Sequence, residues 1–169
     1  MSQHLDTLRV GDTISVKGPI GHVEYQTGGT LLLDGKPRNV KAIGFVAGGT
    51  GLTPCYQVIT RVLHHAHDAT RVCLLYANKS PDDILLKPEL DALAAKYPDR
   101  FQLRYVVDEG APDDSFSTGF VDAEMFKAYM PPPDPQTVIA FCGPPPMLKF
   151  AVRPSLIATG HSEENLVLF

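Results

Sequence analysis

From about residue 42 onward, short apolar runs and helix-patterned runs take turns along the chain. KAIGFVAGG, RVCLLYAN, FQLRYVVDE, TVIAFCG and ENLVLF are the apolar runs, each too short for a core helix and closed by turn residues. Between the first two lies PCYQVITRVLHHA, with Val58, Ile59, Val62 and Leu63 at helical spacing. SPDDILL, PELDALAAKYP, VDAEMFKAYM and PPMLKFAVRPSLIATG are the further helical stretches, the last disturbed at Pro154. Near-continuous apolar strands separated by helices predict a parallel sheet covered on both faces. The expectation is an α/β fold with a five-stranded, doubly wound, Rossmann-like sheet.

Residues 1 to 40 break that rhythm. VGDTISVKGPIGHVEY is β-type sequence and GGTLLLDGKP reads as a hairpin, too little to bury a core alone. The division expected is 1–40 as the end of another, β-barrel domain and 41–169 as the α/β domain, with a linker near Gly35 to Lys41. The formal net charge of −4 gives no electrostatic case for nucleic acid. No apolar run approaches the roughly 18 residues that cross a bilayer, and the opening MSQHLDTLRVGD lacks a secretory core. Cys55, Cys73 and Cys142 show neither a CxxC pattern nor a disulfide framework, which points to reduced thiols and a cytoplasmic setting.

AGGTGLTP, residues 47 to 54, is a glycine turn between a strand and a helix. Such a turn offers backbone N–H groups and the positive end of a helix dipole to an anion. No Lys-Ser/Thr follows the last glycine, so it is not a nucleotide-hydrolysing loop. A ligand-free strand-to-helix connection is the plain alternative. CGPPPM, Cys142 to Met147, ends the fourth strand, at the sheet edge where open α/β folds bind ligands. Its prolines make a stiff pocket wall. Cys142 fits a ring-lining role better than a nucleophilic one, since no histidine stands in a recognisable arrangement with it. Asp108 ends the third strand; it either accepts hydrogen bonds from ribose hydroxyls, disfavouring a 2′-phosphate, or is a plain loop aspartate. Phe120 either stacks on an adenine or packs in the core. His64, His65 and His67 read as a solvated helix end rather than a metal site, because no further ligand is placed to complete one.

AGGTGLTP followed some ninety residues later by CGPPPM resembles the NADH-binding half of the ferredoxin reductase-like flavoenzymes, in the branch of cytochrome b5 reductase and assimilatory nitrate reductase. GPIGHVEY, LLYANKSPDDILLKPELDALAAKYPDRF, TGFV, PMLKFAVRPSL and the terminal LVLF extend that likeness over the chain. The resemblance implies that Gly48, Gly49, Thr50 and Gly51 hold the NADH pyrophosphate, with Thr53 and Pro54 by the nicotinamide and the flavin edge. It implies adenine-side contacts for Asp108 and Phe120. Cys142, Gly143, Pro144, Pro145 and Met147 match the nicotinamide-side loop, with Cys142 and Thr53 nearest the hydride transfer, and Phe169 matches a terminal aromatic residue on the flavin side.

The family's FAD lobe carries an Arg-x-Tyr-Ser/Thr motif and a Gly-x-Met-Ser stretch. The first is absent here, and Met1 and Ser2 match the last two residues of the second. The resemblance therefore implies NADH as the nucleotide and FAD as the cofactor of the complete enzyme, with a heme protein or heme domain as electron acceptor. It also implies little FAD-dependent turnover by this chain alone, and any membrane association only through sequence upstream. A non-catalytic nucleotide-binding or sensor module on the same fold is the competing expectation.

Overall fold

The computed structural model describes residues 2–18 and 20–169. A one-turn helix, α1 (Ser2–Asp6), opens it. Three strands follow, β1 (Val23–Gln26), β2 (Thr30–Leu33) and β3 (Lys36–Asn39), paired antiparallel in that order. The Asp34-Gly35 turn closes the hairpin expected from GGTLLLDGKP, with both residues at positive φ. The β-type stretch before Val23 forms no strand among the described residues. Val10, Ile14, Val16 and Ile20 stand exposed there. Propensity alone does not make a strand; a partner edge does.

The second sheet holds β4 (Ala42–Gly48), β5 (Arg71–Asn78), β6 (Phe101–Val107), β7 (Phe116–Thr118), β8 (Thr137–Cys142) and β9 (Leu166–Leu168), all parallel, in the order β7-β6-β5-β4-β8-β9. The parallel sheet expected from the sequence is present with a sixth strand, β7, which extends the edge beside β6 through the pair Tyr105↔Phe116.

The helices are α2 (Leu52–His64), α3 (Lys87–Lys96), α4 (Ala123–Tyr129), α5 (Pro145–Met147) and α6 (Arg153–Ala158). Side chains alternate across each strand, so Phe45 and Leu74 meet Ile59 and Leu90 from α2 and α3, while Val46 and Leu75 meet Phe126 and Leu156 from α4 and α6. SPDDILL is not the helix expected. It makes a single 3₁₀ turn, Pro81–Asp83, where the Ser80 amide and hydroxyl both donate to the Asp83 carboxylate. Leu86, at φ 55°, then redirects the chain into α3. Pro154 has the expected disturbing effect. It cannot donate a helical hydrogen bond, and the turn before it, Leu148–Val152, is a π-helix.

The small sheet has no core of its own and borrows that of the large one, through Tyr25, Leu31 and Val40. Polar ties reinforce the joint. The Tyr25 hydroxyl donates to Asp68 at 2.7 Å, and Asp68 also accepts from the N–H groups of Gly28 and Thr70. Arg38 of β3 donates to the Glu164 carbonyl at 2.7 Å and to Asn165 Oδ1 at 2.8 Å, beside β9. The stretch expected to be a linker, Gly35 to Lys41, is thus a paired strand followed by the buried Val40.

Candidate functional site

From β4 the chain runs outward through β5, β6 and β7, then returns to the other side of β4 as β8 and β9. The order reverses between β4 and β8, and an open α/β sheet leaves a crevice at the carboxyl ends of such a pair. Gly48 ends β4 and Cys142 ends β8, with Ala47 and Cys142 in register. The two motifs read from the sequence therefore meet at the switch point.

Steric facts explain the glycines one by one. A Cβ on Gly51 would fall inside the Cys142 carbonyl oxygen and 2.6 Å from its carbonyl carbon. One on Gly48 would lie 2.9 Å from Pro144 Cδ and 3.0 Å from Met147 Sδ. Gly51 lets the turn meet the end of β8 backbone against backbone, and Gly48 makes room for the side chains of the proline loop. Gly49 differs: its φ is +54°, and a Cβ there would face open space. That conformation aims the turn, and the open side is where a ligand can approach. A 3₁₀ turn, Gly49–Gly51, leads directly into α2; the Leu52 N–H donates back to the turn carbonyls and Pro54 has no N–H, and the positive end of the helix dipole faces the turn. Pro54 sits in the first turn, as expected. Exposed Thr53 donates its hydroxyl to the Thr50 carbonyl at 3.2 Å, stiffening the turn, and Thr50 is itself exposed.

A cleft of about 1080 Å³ opens beside this point, lined by Pro54, Arg61 and His64 of α2, by Cys142 and Phe169, and by His22. Phe169 reaches it because its N–H donates to the Phe141 carbonyl at 3.1 Å, continuing the β8–β9 ladder. Cys142 is half-buried, and burial pushes its thiol up, so it stays protonated and serves as a small apolar wall. Gly143 packs against Gly48, while Pro144 and Pro145 are exposed.

Asp108 and Phe120 lie apart from that cleft, along the same sheet edge past β6 and β7. Asp108 is exposed, its N–H donating to the Lys79 carbonyl at 3.1 Å. Phe120 is 80% exposed, so it does not pack in the core and its ring is free to stack. Met1 falls outside the described residues, and Ser2 opens α1.

Sequence reasoning missed three residues of the site. The Tyr76 hydroxyl, on β5, donates to the Gly49 carbonyl at 3.1 Å and accepts from the Leu85 N–H at 3.3 Å, tying the glycine turn to the loop before α3. A strand tyrosine gives no signal of this in sequence. Nor did the pattern show that α2 presents Gln57 and Arg61 to the cleft, although their polarity on an otherwise apolar helix was the available sign.

Comparison with known proteins agrees with this geometry. Residues 45–153 match the oxidoreductase NAD-binding domain family, and residues 1–25 match the oxidoreductase FAD-binding domain. The NADH nitrate reductase of Solanum lycopersicum is 45% identical over 171 residues, covering 100% of this chain and 19% of the relative. An NADH nitrate reductase of Oryza sativa subsp. japonica is 48% identical over 160 residues, covering 92% and 18%. The chain thus spans about a fifth of the length of these curated relatives. Among solved structures, the cytochrome b5 reductase domain of Ulva prolifera nitrate reductase superposes with a TM-score of 0.92 at 46% identity, covering 99% of this chain and 64% of that one. With more than half of its residues matched and a switch-point crevice built as the fold requires, the chain belongs to the oxidoreductase NAD-binding domain family.

Proposed function

We propose that this chain is the NADH-binding lobe of an FAD-dependent NADH oxidoreductase of the nitrate reductase or cytochrome b5 reductase type. The observation that carries the proposal is the meeting of the glycine turn, the Cys142–Met147 loop and Phe169 at one switch point beside an open cleft. The residues fit the nucleotide. Gly49 leaves room over the amino end of α2 for a pyrophosphate, Asp108 is placed for ribose hydroxyls, and Phe120 offers a bare ring to the adenine. Pro54, Cys142 and Phe169 fit a flat flavin ring as a stiff, weakly polar wall.

FAD, when bound, would supply the hydride acceptor for nicotinamide C4 and a one-electron route toward a heme-type acceptor. This chain holds the nicotinamide by the Cys142–Met147 loop and narrows its approach to the flavin, which such a transfer needs more than an acid or base. We place the flavin's main contacts in a barrel lobe packed on the exposed apolar side chains Val10, Ile14, Val16 and Ile20, which lie within the stretch matching the FAD-binding domain. The three free thiols fit a cytoplasmic setting.

Calorimetric titration with NADH and NADPH tests the nucleotide reading. NADH binds more tightly, and Asp108→Ser narrows the difference; equal affinity of the unaltered protein for both would refute the role of Asp108. Adding an FAD-loaded barrel lobe then restores NADH-dependent flavin bleaching. NADH binding without bleaching would instead favour a sensor module.

A further inference from the structure

Among the described residues, Asn78 is the one side chain with both polar atoms buried and unpartnered. It is 9% exposed and is the last residue of β5, at the edge that carries the glycine turn and Asp108. An unpaired buried carboxamide costs stability, and a leucine would fill the same place without that cost. Groups of this kind are explained when another state of the protein gives them partners.

Its surroundings say which state. Tyr76 lies two residues back on the same face, and its hydroxyl is bonded to the Gly49 carbonyl and the Leu85 N–H. Burial pushes the Tyr76 phenol up while the Leu85 N–H and the Asn78 amide oppose that rise, so the amide lies close to the hydroxyl. It stops short of hydrogen-bond geometry. Turn carbonyl, phenol and amide thus form a chain whose last link is open.

We infer that Asn78 is a nucleotide-positioning residue, unpartnered in the free protein, which takes up its hydrogen bonds through Tyr76 and the Gly49 turn when the pyrophosphate–ribose segment of NADH settles there. The inference rests on the nucleotide reading above. It assigns the cost of the orphan amide to affinity: the free protein carries it, and the bound protein recovers it.

The test uses Asn78→Leu, Tyr76→Phe and the double variant, with the unfolding midpoint of the free protein and NADH affinity by calorimetry. Asn78→Leu keeps or raises the midpoint and loses at least fivefold in affinity, and the double variant binds no more weakly than the weaker single one. A smaller loss overturns the inference, as when the amide merely holds a water. A loss accompanied by a lowered midpoint also overturns it, assigning Asn78 to packing, and so do losses that multiply in the double variant. Failure of the unaltered protein to bind NADH overturns the nucleotide reading itself, whereas the other results overturn this inference alone.

Discussion

Replacing Gly51 with alanine places one methyl group between two backbones. The residue already has φ −62° and ψ −6°, so alanine adopts the conformation without strain and the whole effect is steric. The new Cβ would lie 2.6 Å from the Cys142 carbonyl carbon and 3.1 Å from the Gly143 N, against an ordinary contact beginning at 3.4 Å. Neither partner is a flexible side-chain tip. Relief requires the glycine turn and the end of β8 to part by about 1 Å, an overpacking that costs roughly 1–3 kcal/mol. In a fold of this size each kcal/mol moves the melting temperature by about 2–4 °C, so Gly51→Ala melts about 5 °C lower. Because the same shift misaligns the anion-facing N–H groups, NADH affinity falls by about tenfold, ~1.4 kcal/mol. Thermal denaturation and calorimetry read the two effects. Gly49→Ala is the control for the melting readout alone: its methyl meets no protein atom, so its cost is the roughly 1–2 kcal/mol of a left-handed alanine, while the same methyl enters the space assigned to the pyrophosphate. If Gly51→Ala melts with the unaltered protein and binds NADH equally well, the loop-on-loop reading of the turn is wrong.

Two further outcomes follow from the buried and exposed groups. Burial alone would raise the Asp68 carboxyl, but hydrogen bonds from Thr70, Tyr25 and Gly28 outweigh it and hold the group below its ordinary value. Its contribution is therefore present above the unfolded-chain value of about 3.9 and lost as pH falls through the lower folded value. Below about pH 4 the melting temperature should fall more steeply for the unaltered protein than for Asp68→Asn, which starts lower; parallel curves would contradict this. Phe120→Ala should leave the melting temperature unchanged, since the ring is 80% exposed, yet weaken NADH binding by about 1 kcal/mol of lost stacking. A drop in stability with no change in affinity would assign Phe120 to packing instead.

The sequence announced the strands whose side chains are buried on both faces, because such strands are runs of apolar residues. β7 escaped notice since Phe116–Thr118 has one buried residue, and what makes it a strand is the neighbouring edge of β6. The reverse error arose at VGDTISV, where strand-forming residues lack an edge to pair with. SPDDILL read as helix from composition, but Asp83 capping Ser80 and the left-handed Leu86 end it after one turn. The site was legible as two motifs and not as their contact. That Gly51 is required by a carbonyl some ninety residues away, or that Tyr76 reaches the turn from β5, depends on strand register, which no local pattern encodes.

The central claim is that NADH lies across the carboxyl edge of the sheet with its pyrophosphate on the amino end of α2. Amide chemical shifts recorded during an NADH titration test it directly. Gly49, Thr50, Gly51 and Leu52 should shift most, with Asp108, Phe120 and Cys142 following the same saturation curve and His161, behind α4, unmoved. Shifts confined to the far side of the sheet, or a turn that stays still while the protein saturates, would contradict the account.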